Sequence, residues 1–173
     1  NDTLLSGVES LPVFTVPFSE DFETFVSGSP GTTANGWTIE GGGNFEGWTV
    51  ENDGVANSFG TGPLDDHTPG GQVYMYTETS SGAQGNEYRL VSPCLDLTGF
   101  SAPKVSFWYH MFGTDMGTLE VEVGTPSGST TIWSLSGQQQ TGENDPWLEG
   151  TADLTAFIGQ SVQVVFVGIR GAG

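Results

Sequence analysis

The sequence predicts an all-β protein built as an antiparallel β-sandwich, and three observations carry that expectation. Short runs of alternating apolar and polar residues recur along the chain, Gly- and Pro-containing turn segments separate them, and no stretch sustains apolar positions at helical spacing over several turns. Strands of that kind bury one face each, so two layers of them must pack against one another. The 173 residues contain 27 glycines and are 35% hydrophobic with 12% aromatic, which supplies both the turns and enough apolar area for one core.

Taken in order, residues 1–11 lack a clear period and read as a linker or N-terminal tail, with the folded module over 12–173. Asn35-Gly36 and Asp53-Gly54 mark tight turns. Gly36-Trp37-Thr38-Ile39-Glu40 and Gly47-Trp48-Thr49-Val50-Glu51 echo one another across a glycine-rich loop and read as the arms of a hairpin, two copies being too few for a solenoid. Strands follow over 72–77, 88–92 and 104–110. The clearest is 118–123, where Leu119, Val121 and Val123 face a core and Thr118, Glu120 and Glu122 face water. Strands over 130–135 and 147–154 come next. In the last, 161–169, Val162, Val164 and Phe166 oppose Gln163, Val165 and Val167; apolar side chains on both faces make this a central strand.

Charge and composition exclude several functions. Three Lys and Arg against 21 Asp and Glu give a formal net charge of −18, which disfavours nucleic acid and anionic membrane surfaces as partners. No run of about 18 apolar residues predicts a membrane span. The near absence of lysine suits salty, extracellular surroundings, and the chain reads as already processed, without a basic and apolar leader. The single cysteine, Cys94, excludes an internal disulfide and a thiolate zinc cluster; in Ser92-Pro93-Cys94-Leu95 it reads as a small buried hydrophobe.

No catalytic constellation stands out, and the chain is expected not to be an enzyme. His67 and His110 are the two histidines that could serve as a base, and neither sits in a catalytic motif; His110 reads as a hydrogen-bonded sheet residue. With 21 acids, some carboxylate pair must fall at glycosidase spacing by chance, so spacing alone carries nothing. Hard-cation chemistry is the better candidate, because calcium takes about six to eight oxygen ligands and these sequences are rich in them. Phe18-Ser19-Glu20-Asp21-Phe22-Glu23 sets three carboxylates in four residues, and Asp65-Asp66-His67-Thr68 lies in a Gly/Pro-rich loop with free carbonyls. A merely solvated acidic surface explains the same composition equally well.

One ordered set of motifs narrows the choice. Phe22-Glu23, Gly36-Trp37, Trp48, Asp66-His67-Thr68, Gly71 and Tyr74-Met75 are followed by Arg89-Leu90-Val91-Ser92-Pro93, Phe107-Trp108-Tyr109-His110-Met111-Phe112-Gly113, Gly117-Thr118-Leu119, Ile132-Trp133 and Trp147. In this order and spacing, from about Phe18 to Gly173, the chain resembles the MAM domain of meprins, A5 antigens and receptor tyrosine phosphatases. The resemblance implies a jelly-roll sandwich acting without catalysis in extracellular adhesion or beside a secreted enzyme. It implies a structural cation, calcium, at Glu23 and Asp66, with Asp21 and Thr68 as further donors. His67, Trp108, Trp133 and Trp147 are then structural, the three tryptophans on core positions.

The paired cysteines of animal members are missing, so the chain looks more like the modules of secreted multidomain proteins of the Bacteroidetes. The family's closing strand with its Ile-Asp-Asp element is also absent from this sequence, so either the module lacks its last strand or that strand lies beyond residue 173. The expected partners are other domains of the same polypeptide and a protein or glycan ligand at the cell surface. If the ligand is a glycan, in an accessory module attached to a secreted hydrolase, the aromatic residues not committed to the core are Trp37, Trp48, Tyr76 and Phe112.

Overall fold

The computed structural model describes residues 13–43, 46–52, 60–79 and 81–172. The expected tail over 1–11 and the Asp53-Gly54 turn lie outside the described residues. Eleven strands are described: β1 Val13–Thr15, β2 Thr38–Glu40, β3 Gly47–Glu51, β4 Tyr74–Glu78, β5 Glu87–Val91, β6 Cys94–Asp96, β7 Lys104–Tyr109, β8 Thr118–Thr125, β9 Gly128–Ser136, β10 Leu148–Asp153 and β11 Ser161–Ile169. The remaining regular element is a single 3-10 turn at Thr155–Phe157, and no α-helix occurs among the described residues. The protein is an all-β sandwich. Among the described residues, no helix is long and apolar enough to cross a membrane.

One layer is a seven-stranded sheet organised on β11, which pairs with β5 and β6 along one edge and with β8 along the other. β2 extends this sheet from β5, β9 from β8, and β1 from β6 by a parallel pairing, a local departure from antiparallel order. The facing layer consists of two separate ladders, β3 with β4 and β7 with β10. Trp48, Val50 and Met75 of the first ladder pack with Leu90 and Phe166 of the large sheet. Val105 and Phe107 of the second pack with Leu95, Val121 and Val164.

Two-sided burial explains why β11 is central, as expected. Its inner residues Val162 and Val164 join the core, and its outer residues Val165 and Val167 form a second apolar cluster with Val91. Arg89 of β5 and Glu122 of β8 flank β11 on that outer face, where Val167 and Val165 are their respective cross-strand neighbours. Their Nη1–Oε2 contact at 2.6 Å therefore spans β11 and covers its outer valines. Glu122, expected in water, is 8% exposed and also accepts a hydrogen bond from Ser129 Oγ. A long carboxylate can turn back over an apolar strip when a guanidinium meets it there.

The expected hairpin does not form. β2 pairs with β5 in the large sheet, whereas β3 pairs with β4 in the opposite layer. Asn35 (φ 54°) and Gly36 (φ 82°) make the tight turn, but it feeds a chain that crosses between layers. Both tryptophans of the echo point into the one core, Trp37 from one side and Trp48 from the other.

Candidate cation site

Residues 20–24 form a turn stitched by its own side chains. Glu20 Oε1 accepts the Phe22 N–H at 3.0 Å, Asp21 Oδ1 accepts the Glu23 N–H at 3.2 Å, and Asn35 donates to both Glu20 and Thr24. Phe22 adopts φ 65°, a left-handed conformation that costs a bulky residue of the order of 1–3 kcal/mol. The compensation is that its ring packs edge-on against Phe25 and Trp37. With Phe22 turned inward, Glu23 reaches across to the segment after Gly71, where its Oε1 accepts the N–H groups of Gln72 (2.8 Å) and Val73 (3.1 Å).

The second half of the site comes from the loop before β4. Asp66 Oδ2 accepts the Thr68 N–H at 3.1 Å. An aromatic clamp holds this loop: His67 stacks on Trp108 with ring centres 4.0 Å apart and planes 16° apart, Trp147 meets His67 edge-on, and the Trp147 indole N–H donates to the Asp65 carbonyl. Glu23 and Asp66, 43 positions apart in sequence, converge at Gly71. A methyl group there would lie 2.8 Å from Glu23 Oε1 and 3.1 Å from the Thr68 carbonyl oxygen, with Asp66 Oδ2 closer still. Three oxygens thus surround a space that only glycine leaves open.

Electrostatics make the cradle short of positive charge. Burial pushes the Asp66 carboxyl above its usual range; the hydrogen bonds from Thr68 and His67 oppose this, and the Glu23 charge adds to it. The two salt bridges among the described residues are those of Arg89, on the other layer. Two carboxylates and a carbonyl suit a hard cation, and they fall short of the six to eight oxygens calcium takes. No cluster of three or more His, Cys, Asp or Glu side chains that could hold a metal occurs among the described residues. Asp21 stays engaged in its own turn, and the Thr68 carbonyl accepts the Gly71 N–H at 2.8 Å.

The aromatic candidates for a glycan platform do not come together. Trp37 and Trp48 are each 7% exposed, members of one core cluster, and the Trp48 indole N–H is taken by the Tyr88 carbonyl. Tyr76, half-buried, faces away from Trp48, because Trp48 pairs with Thr77 and alternate positions of β4 point oppositely. Phe112, also half-buried, lies past the end of β7. Trp108, expected in the core, is 47% exposed. Phe107 and Tyr109 take the inward positions of β7, so the residue between them must face out. His110 differs too: both ring nitrogens are buried without a hydrogen-bond partner, and burial pushes its pKa down.

Residues 22–173 match the profile of the MAM domain, meprin/A5/mu. The chain belongs to the MAM family. This MAM domain is 34% identical to Neuropilin-1 of Xenopus laevis over 116 residues, which is 65% of the chain and 12% of that protein. It is 41% identical to Neuropilin-1a of Danio rerio over 96 residues, and 32% identical to MAM domain-containing protein 2 of Homo sapiens over 114. The chain thus spans about an eighth of the length of the neuropilins it matches. Among solved structures, the K1 cleaved adhesin domain of Lys-gingipain from Porphyromonas gingivalis W83 shares the fold, with a TM-score of 0.55 at 18% identity over 88% of this chain and 87% of that one.

Proposed function

We propose that this MAM domain is a non-catalytic extracellular adhesion or protein-interaction module of a larger secreted or cell-surface bacterial protein, with calcium bound at Glu23 and Asp66. The carrying observation is the cradle at Gly71, where two carboxylates and a carbonyl converge apart from the ion pairs of Arg89. A divalent cation there would tie the 20–24 turn to the loop before β4, fixing the two irregular segments that the sheets leave free. Extracellular calcium supplies such an ion, and the surface charge of −18 fits that setting. The likeness to a bacterial adhesin domain supports the same reading. The carbohydrate alternative loses its platform with Trp37 and Trp48 in the core.

The test couples binding to the ion. The domain, immobilised on beads, is challenged with panels of extracellular matrix proteins and of glycans, in calcium and in chelator. Saturable protein binding that calcium enhances is the expected result. Retention of glycans alone, or turnover of peptide or glycoside substrates, would overturn the reading.

A further inference from the structure

Trp108 presents its ring on the outer face of the β7–β10 ladder and is the one exposed tryptophan among the described residues. Phe107 and Tyr109 point inward, so whatever pairs at the edge of β7 leaves this ring on the surface. His67 stacks on one side of it, and Trp147 in turn holds His67 edge-on while its indole N–H is tied to the Asp65 carbonyl. The ring is thus fixed before any partner arrives, with one of its two sides already taken. The strand register sets exposed Glu149 directly across from Trp108 on the same outer face. Lys104 lies at the far end of that face, about 13 Å away along the strand. Arg89 is engaged with Glu122 on the other layer.

We propose that the open side of Trp108 anchors the domain's interaction surface by receiving an arginine side chain from a partner protein, its guanidinium flat on the indole and turned toward the Glu149 carboxylate. The proposal rests on reading the domain as an interaction module and names where that contact is made. A cation over a tryptophan face is attracted by the ring's quadrupole, more strongly than over tyrosine or phenylalanine. Arginine fits better than lysine, because guanidinium is planar, weakly hydrated and offers two N–H donors to one carboxylate. Charge selects the same guest: acids outnumber Lys and Arg 21 to 3 in this chain, so the partner brings the cation. A second copy of the chain is disfavoured, since two bodies of charge −18 repel. His67 adjoins Asp66 in sequence, so an ion in the cradle would brace the loop that backs the ring and link this contact to calcium.

The probe is a short capped peptide with arginine at its centre between glycines and serines, titrated into the isotope-labelled chain. The reporter is the Trp108 indole N–H signal, identified by its absence from Trp108→Phe. Saturable displacement of that signal is expected, weakened about threefold or more with lysine at the centre and lost with citrulline, which keeps the shape without the charge. Followed by amide signals along β7 and β10, Trp108→Ala should weaken binding about fivefold and Glu149→Gln about threefold, while Glu120→Gln on the other layer leaves it unchanged. Glu149 is exposed, so its variant keeps the test decisive if Trp108→Ala unfolds the chain. Equal loss from Glu120→Gln would reduce the attraction to diffuse surface charge and overturn the proposal. So would a Trp108 signal that moves with a neutral cello-oligosaccharide and not with the peptide. Bead capture of matrix proteins in calcium separates the anchor from the broader reading. If the parent and Trp108→Ala capture a protein equally, the anchor is wrong and the module reading stands; if the parent captures none, the module reading falls and takes the anchor's role with it.

Discussion

Removing one charge from the cradle should invert its sign between calcium and chelator. Glu23 Oε1 and Asp66 Oδ2 both lie within about 3 Å of the point a Gly71 methyl would occupy, so they are no more than about 5 Å apart. At that distance their repulsion is about 3 kcal/mol at an effective dielectric of 20 and under about 1 kcal/mol in water. Glu23 is exposed and Asp66 half-buried, so solvent screens much of this and about 1 kcal/mol is the working figure. Glu23→Gln keeps a carbonyl oxygen for the Gln72 and Val73 amides while deleting the charge. In chelator the variant should therefore be as stable as the parent or more stable by about 1 kcal/mol, some 2–4 °C in melting midpoint for a domain of this size. In calcium the order should reverse. An ion at 100 times its dissociation constant adds about 2.7 kcal/mol to the parent, or roughly 5–10 °C, and Glu23→Gln and Asp66→Asn should lose that gain. Melting the three proteins by circular dichroism in both buffers decides it. Variants that keep the parent's calcium shift would refute the site. Equal destabilisation in both buffers would reduce Glu23 to a cap on two amides.

Other perturbations test the frame around the site. Arg89→Ala should cost about 1–3 kcal/mol by denaturant titration, since it leaves the 8%-exposed Glu122 without its partner and uncovers the valines of β11; Arg89→Ala with Glu122→Gln should recover part of that. The Arg89 hydrogen bond holds the Glu122 carboxyl below its usual range. This stability is present above the ordinary glutamate pKa and lost as pH falls through the folded-state value, so a midpoint that did not drop on acidification below about pH 4.5 would count against the pair. Gly150→Ala would set a methyl 2.6 and 2.9 Å from two Phe107 ring atoms, with a third closer, and should cost about 1–3 kcal/mol, relieved when combined with Phe107→Leu. Burial lowers the His110 pKa, so its contribution is present above the unfolded value near 6.5 and declines as pH drops from there; His110→Phe should flatten the melting profile between about pH 7 and 5.

Period-2 patterning made much of the fold legible. The strand over 118–123 and the two-sided strand over 161–169 were readable as strands because alternation records which faces are buried, except at Glu122, which the Arg89 pair across β11 draws out of water. The echo Gly-Trp-Thr-Ile/Val-Glu misled for the same reason: two identical alternations look like partners, and nothing local says that the loop between them crosses from one layer to the other. Trp108 was readable in principle, since Phe107 and Tyr109 inward force it outward, but the family position suggested core. At the site, the motifs around Glu23 and Asp66 were visible as residues. The main-chain groups that complete it were not, because the amides of Gln72 and Val73 acquire their meaning only when a turn some 50 positions earlier swings in beside them.

The eleventh strand is the one against which β5, β6 and β8 all pair. The pairings of β2 with β5 and of β8 with β9 can form before it, but the larger layer cannot join them until residue 169 has been synthesised. Such an order of synthesis postpones closure of that layer until its most non-local pairings can form.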